Sequence, residues 1–440
     1  MDDRPPPHRL GLGSAIGVII ASMIGAGLYT TSGFALADLG TPGRVMLAWA
    51  IGGAIALCGA VAYGELARRM PESGGEYLFL SRTIHPAAGV VAGVVSMTAG
   101  FTGAIAFAAR ALEAHVGTAA LPDGTLAAIT IAAAGLLHLV GLAAGSWVQN
   151  AVIAAKLTLL YLLMLQIAQT TSTPLAIPTH DDPWAYRMHD RPLTVGMVAA
   201  SLVWISLSYA GFNAAVYLAD EVRDPERTVP RALLAGTAVV TVVYLWVNAV
   251  SLTQLPHGSI AGKPDAVLAA ARGFGSYFDD GGLVATLRVA IALSLVTSVS
   301  AMIQTGPRVY AKMAADGVLP RWFADESGRI PRRAIAAQTL AAIPAAYLSR
   351  VQDFLWYLGL TLSLSSAMAV CGLFRDRSRR LGVVTATAAG LYAAATLGLA
   401  LVAGISQPNR GAATLVTLLA GGLLYVIMRR HSRVTGDATA

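Results

Sequence analysis

The chain has 440 residues, of which 55% are hydrophobic and only 12% are charged, and its net charge is +7. Soluble domains are about a quarter charged, so this composition excludes an ordinary soluble fold and indicates a polytopic membrane protein. The basic residues lie in short loops between apolar segments and form no basic face, which argues against nucleic acid as a partner. Both cysteines, Cys58 and Cys371, lie inside apolar segments, where no disulfide framework is expected.

Apolar segments of about 20 residues cross a bilayer as helices. The sequence predicts an all-α polytopic membrane protein with about 12 such spans, the ninth being the shortest. The predicted spans are 11–36, 44–67, 86–113, 124–142, 147–169, 193–219, 231–253, 282–313, 334–349, 353–373, 382–404 and 411–428.

The distribution of Lys and Arg predicts the orientation of the chain in the membrane. If the N-terminus is cytoplasmic, the cytoplasmic segments carry 21 of the 31 basic residues and the external segments carry nine. Basic residues concentrate on the cytoplasmic side of membrane proteins. We therefore expect a multi-pass protein of the cell (inner or plasma) membrane with both termini cytoplasmic.

Two predicted spans contain a helix-breaking stretch near their centres. The first is "SMIGAGLYT" at 22–30, with Gly25 and Gly27, and the second is "SYAGFN" at 208–213. The two glycines alone would also suit close helix packing. Paired breaks separated by five spans, however, are typical of a transporter built from two inverted repeats. The exposed N–H and C=O groups of such breaks match the carboxylate and ammonium groups of an amino acid.

Four ordered motifs resemble those of the amino acid–polyamine–organocation (APC) superfamily. The stretch "IGAGLYTTSG" is similar to the helix 1 motif of these transporters, and "YGELARRMPESGGEYLFL" (63–80) is similar to their helix 2–3 segment. The stretch "YAGFNAAVYLADEVRDPERTVPRAL" (209–233) resembles their helix 6 and the following loop. The stretch "RVYAKMAADGVLPRWFA" (308–324) resembles the segment after their helix 8.

The resemblance implies a LeuT-type fold, in which two inverted five-helix repeats with discontinuous helices 1 and 6 are followed by two extra helices. It also implies secondary transport, mostly of amino acids, and no enzymatic activity. The implied parts are a cytoplasmic tail (1–10), a core (11–373) with repeats at about 11–169 and 193–373, two additional transmembrane helices (382–428) and a second cytoplasmic tail (429–440).

The family's contacts to the substrate backbone can be carried over to this sequence. They fall on Gly25, Ala26 and Gly27 in the first break, and on Ser208, Tyr209 and Gly211 in the second. Ala26 stands where Ser or Thr is frequent, so one hydroxyl beside the carboxylate is missing.

Four further residues are possible members of the pocket: Ile24, Phe101, Trp204 and Asn213. Phe101 is expected from its depth in the third span, and Trp204 could gate the pocket or only pack in the core. Asn213 stands where an acidic residue is common in the family, which favours neutral over cationic substrates.

Lys156 lies about ten residues into the fifth span, near the middle of the bilayer. An ionisable residue at that depth is costly and indicates a function, although a lysine can also extend towards the interface. In proton-coupled APC members a lysine at this place resembles a substitute for sodium, because it bridges the first break and helix 8. Thr297 and Ser298 would then be its partners, or alternatively ligands of Na⁺.

Other polar residues are expected to have structural roles. Arg110 and Glu113 suit a local ion pair, and His138 suits a packed, hydrogen-bonded position. Three glutamates at cytoplasmic helix ends are expected to pair with arginines such as Arg68 or Arg223: Glu65, Glu76 and Glu221.

No sequence motif predicts a cofactor, a metal or a nucleotide site. The sequence therefore predicts a permease that moves amino acids, with neutral ones favoured, by proton-coupled symport. Three alternatives stay open: a sodium-coupled transporter, an obligatory exchanger of amino acids or polyamines, and an amino acid sensor that transports nothing.

Overall fold

The computed structural model describes residues 10–116, 121–140, 145–170, 192–253, 260–263, 268, 281–324, 331–348, 351–376, 380–406 and 411–436. Within these residues the regular structure is helical. The α-helices are α1 (Leu12–Met23), α2 (Ala26–Leu39), α3 (Pro42–Arg69), α4 (Gly75–Thr83), α5 (Pro86–Val95), α6 (Ala104–Val116), α7 (Thr125–Val140), α8 (Gly145–Thr170), α9 (Val195–Ser208), α10 (Pro225–Thr253), α11 (Gly281–Ala315), α12 (Arg332–Leu348), α13 (Val351–Arg375), α14 (Val383–Ser406) and α15 (Ala412–Gly436).

Three short helical segments complete the described elements. A π-helix (Ser96–Gly103) joins α5 to α6, so that Pro86–Val116 forms one long helix. A 3₁₀ helix (Ala214–Glu221) follows the second break, and another (Arg321–Phe323) follows α11.

Each of the 12 predicted spans overlaps a helix, and the short helix α4 lies between the second and third spans. Seven helices are long and apolar enough to cross a membrane among the described residues, and the bent pair α1–α2 is an eighth candidate. These findings confirm an all-helical chain consistent with a polytopic membrane protein. The number of 12 crossings and the inverted repeat stay predictions.

The helix ends follow local sequence rules, as α3 illustrates. Thr41 caps this helix by accepting a hydrogen bond from the Arg44 N–H at 3.4 Å, and Pro42 occupies the first turn, where a missing N–H costs nothing. Arg68 and Arg69 lie in the last turn, where the negative end of the helix dipole stabilises cations. These features fix where the helix begins and ends on either side of its apolar stretch.

The broken helices lie at the centre of the molecule. Helix α1 packs against α10 and α11, while α9 packs against α2, α13 and α14. In the apolar 18-residue stretch of the Pro86–Val116 helix 67% of the residues are buried, whereas in that of α15 only 17% are. The structure therefore places α15 at the periphery and surrounds the two breaks with protein.

One end of the molecule is closed by a backbone contact between distant segments. The Leu10 N–H donates to the Glu221 carbonyl at 2.7 Å, and the Arg223 N–H donates to the Leu10 carbonyl at 2.9 Å. This parallel bridge between Leu10 and Val222 ties the start of α1 to the segment that follows the second break. We call this end of the molecule the Leu10 end.

Candidate functional site

The first break separates α1 from α2 and bends the chain by 41°. Helix α1 ends at Met23, and Gly25 adopts an extended conformation (φ −139°, ψ −149°) before α2 begins at Ala26. The first N–H groups of a helix have no carbonyl partner within that helix. The start of α2 therefore presents N–H groups and the positive end of a helix dipole at this point.

The second break lies between α9 and the 3₁₀ helix that follows it. Helix α9 ends at Ser208, and Gly211 has a positive φ of +97°, a conformation that favours glycine. A Cβ atom on Gly211 would also lie 3.0 Å from backbone and side-chain atoms of Ser22 on α1. The two breaks are therefore packed against each other through glycine.

Gly27 makes the same kind of contact from the other side. A Cβ atom on Gly27 would lie 2.6 Å from both the Cα and the Oγ atoms of Ser208. The Thr31 hydroxyl lies 2.9 Å from the Ser208 hydroxyl. The start of α2 and the end of α9 thus approach each other at backbone distance, which only the absence of a side chain permits.

Tyr244 on α10 joins the two breaks through one hydroxyl group. Its single O–H lies within hydrogen-bond distance of the Met23 carbonyl at the end of α1 and of the Ser208 carbonyl at the end of α9, the latter at 2.9 Å, so the two carbonyls share one proton. Its side chain is fully buried. Carbonyls at helix C-termini have no intrahelical donor, so Tyr244 supplies one donor to both helix ends.

Lys156 on α8 lies behind the first break and is only 1% exposed. Its Nζ atom donates to the Thr297 hydroxyl at 3.1 Å and to the Ile24 carbonyl at 3.4 Å. None of the ion pairs found among the described residues involves Lys156. The ammonium group is therefore held by neutral oxygen atoms from the first break and from α11.

Thr297 and Ser298 face different groups, although they are neighbours in sequence. The Thr297 hydroxyl contacts Lys156, while the Ser298 hydroxyl would lie 2.8 Å from a Cβ atom on Gly25. The contacts of the described residues thus bring the lysine together with Thr297 but not directly with Ser298.

A cavity of about 150 Å³ opens beside the two breaks. Ile24, Trp204, Lys156 and Thr297 are not among its lining residues. The predicted residues that line it are Gly25, Ala26, Gly27, Phe101, Ser208, Tyr209, Gly211, Asn213 and Ser298.

The π-helix Ser96–Gly103 shapes one wall of the cavity. Ser96, Gly100 and Phe101 line it, and the Phe101 ring packs edge-on against Tyr217 at a centroid distance of 5.2 Å. π-helical turns are rare in proteins, and those that occur are often found at functional sites. The position of this π-helix in the cavity wall therefore supports a functional role for this cavity.

Trp204 belongs to an aromatic cluster and does not reach the cavity. Its ring packs edge-on against Phe34 and Trp356, each at a centroid distance of 5.7 Å. Phe34 is on α2, Trp204 on α9 and Trp356 on α13. The cluster thus packs three helices together on the side of the breaks away from the Leu10 end.

The expected ion pairs form in part. Glu65 pairs with Arg68 and Arg69, and Arg110 pairs with Glu113, as the sequence predicts. Glu221 also pairs with an arginine, but this is Arg308 on α11 and not the neighbouring Arg223. The packed role expected for His138 agrees with its contact of 2.9 Å from Nε2 to the Ser300 hydroxyl.

The prediction for Glu76 is wrong, because its recorded partners are Tyr63, Asn213 and Tyr217 and none is an arginine. Glu76 also lines the cavity. Tyr244 was not predicted at all. A tyrosine in an apolar span has no distinguishing pattern, and only the packing of α10 against both breaks gives it this position.

A family model described as amino acid permease matches residues 10–374 of the chain. Among curated proteins, the human large neutral amino acids transporter small subunit 2 is 27% identical over 325 residues. That match covers 71% of this chain and 58% of the human protein.

Two further relatives show different coverage. The mouse Asc-type amino acid transporter 1 is 26% identical over 337 residues, which cover 72% of this chain and 60% of that protein. An uncharacterized transporter of Mycobacterium tuberculosis is 27% identical over 444 aligned positions, which cover 98% of this chain and 94% of the relative. The chain thus spans under two thirds of the length of the mammalian relatives and nearly all of the bacterial one.

Proposed function

This chain belongs to the amino acid permease family, and we propose that it is a secondary active transporter of neutral amino acids. The observation that carries this proposal is the meeting of two broken helices at one cavity. The N–H groups at the start of α2 suit a carboxylate, and the carbonyls at the end of α9 suit an ammonium group. Both groups belong to the part that all amino acids share.

The preference for neutral substrates is supported by the cavity and by the relatives. Apolar and small side chains such as Ala104, Phe107 and Leu358 line the cavity beside the breaks. The name of one relative refers to large neutral amino acids, and the name of another describes an Asc-type transporter of amino acids. The amide of Asn213 stands where an acidic residue is common in the family. The Glu76 carboxylate also lines the cavity, but it already accepts hydrogen bonds from Tyr63, Asn213 and Tyr217.

We further propose that transport is driven by protons and that Lys156 carries the proton. A buried ammonium group held by Thr297 and the Ile24 carbonyl stabilises the first break when charged. Burial disfavours the charged ammonium and contact with water favours it, so a change in the access of water would move a proton on or off Lys156 and thereby form or release these contacts. Coupling requires that the proton affinity of Lys156 differ between the two access states.

Uptake into proteoliposomes tests these proposals. An inward proton gradient is expected to concentrate a labelled neutral amino acid, and a sodium gradient at symmetric pH is not. Uptake that requires sodium would overturn proton coupling in favour of sodium coupling, in which Thr297 and Ser298 would hold Na⁺. A protein that binds a labelled amino acid but shows neither uptake nor counterflow of it would be a sensor.

Orientation is part of the same proposal. The excess of Lys and Arg predicts that the Leu10 end faces the cytoplasm. Accessibility of a tag placed at each terminus of the chain, measured in intact cells and in inverted vesicles, tests this orientation. Protection of both tags in intact cells is expected.

A further inference from the structure

The carboxylate of Glu76 is buried at the Leu10 end of the cavity. Glu76 lies in the first turn of α4, is 5% exposed and belongs to the cavity lining. None of the ion pairs found among the described residues includes it. A buried carboxylate without a cationic partner is costly unless hydrogen bonds satisfy it.

Three neutral donors satisfy this carboxylate. The Tyr63 hydroxyl donates to Oε1 at 2.7 Å, and the Asn213 amide donates to the same oxygen at 2.6 Å. The Tyr217 hydroxyl donates to Oε2 at 2.7 Å. An ionised carboxylate only accepts hydrogen bonds, so it can hold all three donors, and bonds to a charged acceptor are about twice as strong as neutral ones.

The three donors come from two elements that Glu76 joins to α4. Tyr63 is on α3, whereas Asn213 and Tyr217 belong to the segment that follows the second break. The packing is as close as the chain permits, because a Cβ atom on Gly75 would lie 2.1 Å from the Tyr217 ring. Gly75 also has a positive φ of +54°, which favours glycine at this contact.

We propose that Glu76 is a positioning residue of the transport cycle, which holds the 3₁₀ helix Ala214–Glu221 against α3 and α4 and thereby closes the cavity at the Leu10 end. Opening of the cavity to this side breaks its hydrogen bonds to Asn213 and Tyr217. We call the hydrogen bonds of Glu76 to Tyr63, Asn213 and Tyr217 the latch. The proposal rests on the transport function proposed above, because the latch is closed in one of the two access states of a transporter and open in the other.

Three other contacts hold the same segment from outside the cavity. Glu221 pairs with Arg308, Leu10 pairs with Val222, and the Ser73 hydroxyl accepts a hydrogen bond from the Asp220 N–H at 3.1 Å. Glu76 differs from them because it lines the cavity, so a substrate bound there could affect its hydrogen bonds directly.

The substitution Glu76→Gln tests the latch with little change in shape. An amide offers one oxygen and one NH₂ group and carries no charge, so it cannot accept from Tyr63, Asn213 and Tyr217 together as the carboxylate does. Weaker closure is expected to raise access to the cavity from the Leu10 end about three- to tenfold.

Access is measured with a thiol reporter. Both native cysteines are first removed by Cys58→Ser and Cys371→Ser, and a reporter thiol is then introduced into the cavity lining by Ser363→Cys. A membrane-impermeant thiosulfonate, applied either to intact cells or to inverted vesicles, labels this thiol. Glu76→Gln is expected to raise the labelling rate from the Leu10 side and not from the opposite side.

The matched control is Glu113→Gln, which changes a buried carboxylate that is paired with Arg110 and does not line the cavity. Labelling rates equal to the parent in Glu76→Gln, or an equal rise in Glu113→Gln, would overturn the proposal. If Glu76→Gln does not reach the membrane, Tyr217→Phe removes one donor and should raise labelling from the same side. A parental rate in that variant would likewise overturn the latch.

Labelling needs no substrate, so this test is separate from that of transport. If the protein takes up no amino acid but Glu76→Gln raises the labelling rate from the Leu10 side alone, the latch is supported and the proposed function is overturned. A chain that transports but shows no rise would keep the function and lose the latch.

Discussion

Gly27 and Ser208 meet at backbone distance, so that a Cβ atom on Gly27 would lie 2.6 Å from the Ser208 Cα atom. This contact joins the start of α2 to the end of α9 and hence one break to the other. The neighbouring hydroxyls of Thr31 and Ser208 lie 2.9 Å apart and extend the same contact. The site is therefore assembled from two segments that each need the other in place.

The substitution Gly27→Ala should separate the two breaks. Because the Ser208 backbone cannot move away as a flexible side chain could, we expect a loss of about 1–3 kcal/mol in stability and weaker substrate binding. Thermal unfolding in detergent with and without an amino acid measures both. The control is Gly13→Ala on α1, whose Cβ atom would meet nothing within 4 Å. Equal behaviour of the two variants would contradict the contact.

The substitution Tyr244→Phe removes the hydroxyl that serves both helix ends. The Met23 and Ser208 carbonyls then lose a buried donor, which should cost about 1–3 kcal/mol. Substrate should also stabilise this variant less than the parent, because the relative position of the breaks is no longer fixed. Thermal shifts across an amino acid titration test this prediction. Tyr161→Phe, at an exposed tyrosine on α8, is the control and should match the parent.

The substitution Lys156→Met should abolish uptake driven by a proton gradient. Methionine fills a similar volume but provides neither a proton nor a donor to the Ile24 carbonyl and Thr297. Lys312→Met is the control, since Lys312 pairs with Glu72 and Asp316 and does not line the cavity. Gradient-driven uptake that survives in Lys156→Met would exclude the proton role, whereas counterflow that survives alone would support it.

An ion pair outside the membrane-spanning segments should make a small, pH-dependent contribution to stability. The hydrogen bond from Arg82, with a weaker contribution from Lys312, lowers the pKa of Glu72 against the opposing effect of its burial. A carboxyl group whose pKa is lower in the folded chain stabilises the fold above its unfolded pKa of about 4.3 and loses this effect as the pH falls through the folded pKa.

Glu72→Gln should therefore lower the melting temperature slightly at pH 7 and by less at about pH 3. The side chain is 38% exposed, so the contribution is below about 1 kcal/mol. Unfolding scans between the two pH values check this, and Arg82→Gln alone and combined with Glu72→Gln completes a double-mutant cycle. A Glu72→Gln effect that is as large at pH 3 as at pH 7 would show that the carboxylate charge is not its cause.

The class of protein and the positions of the breaks can be recognised from the amino-acid sequence alone. Apolar spans of about 20 residues and the scarcity of charge leave few alternatives to a helical membrane protein. Gly25 and Gly211 lie in the two breaks and Gly27 in the first turn of α2. Glycine is a poor helix former, and this local property can be recognised without any knowledge of packing. The depth of Lys156 in its span was equally visible, since a charge there is costly in any membrane fold.

The groups that those residues contact depend on the packing of distant segments. Trp204 shares the depth of the second break, yet it packs against Phe34 and Trp356 and not into the cavity. Glu76 follows a basic helix end and would suit an arginine, but the fold places Tyr63 and Tyr217 around it. Helix periodicity and residue depth define the height of a side chain in the membrane. They do not define which neighbouring helix it faces, because that direction depends on how distant segments pack together.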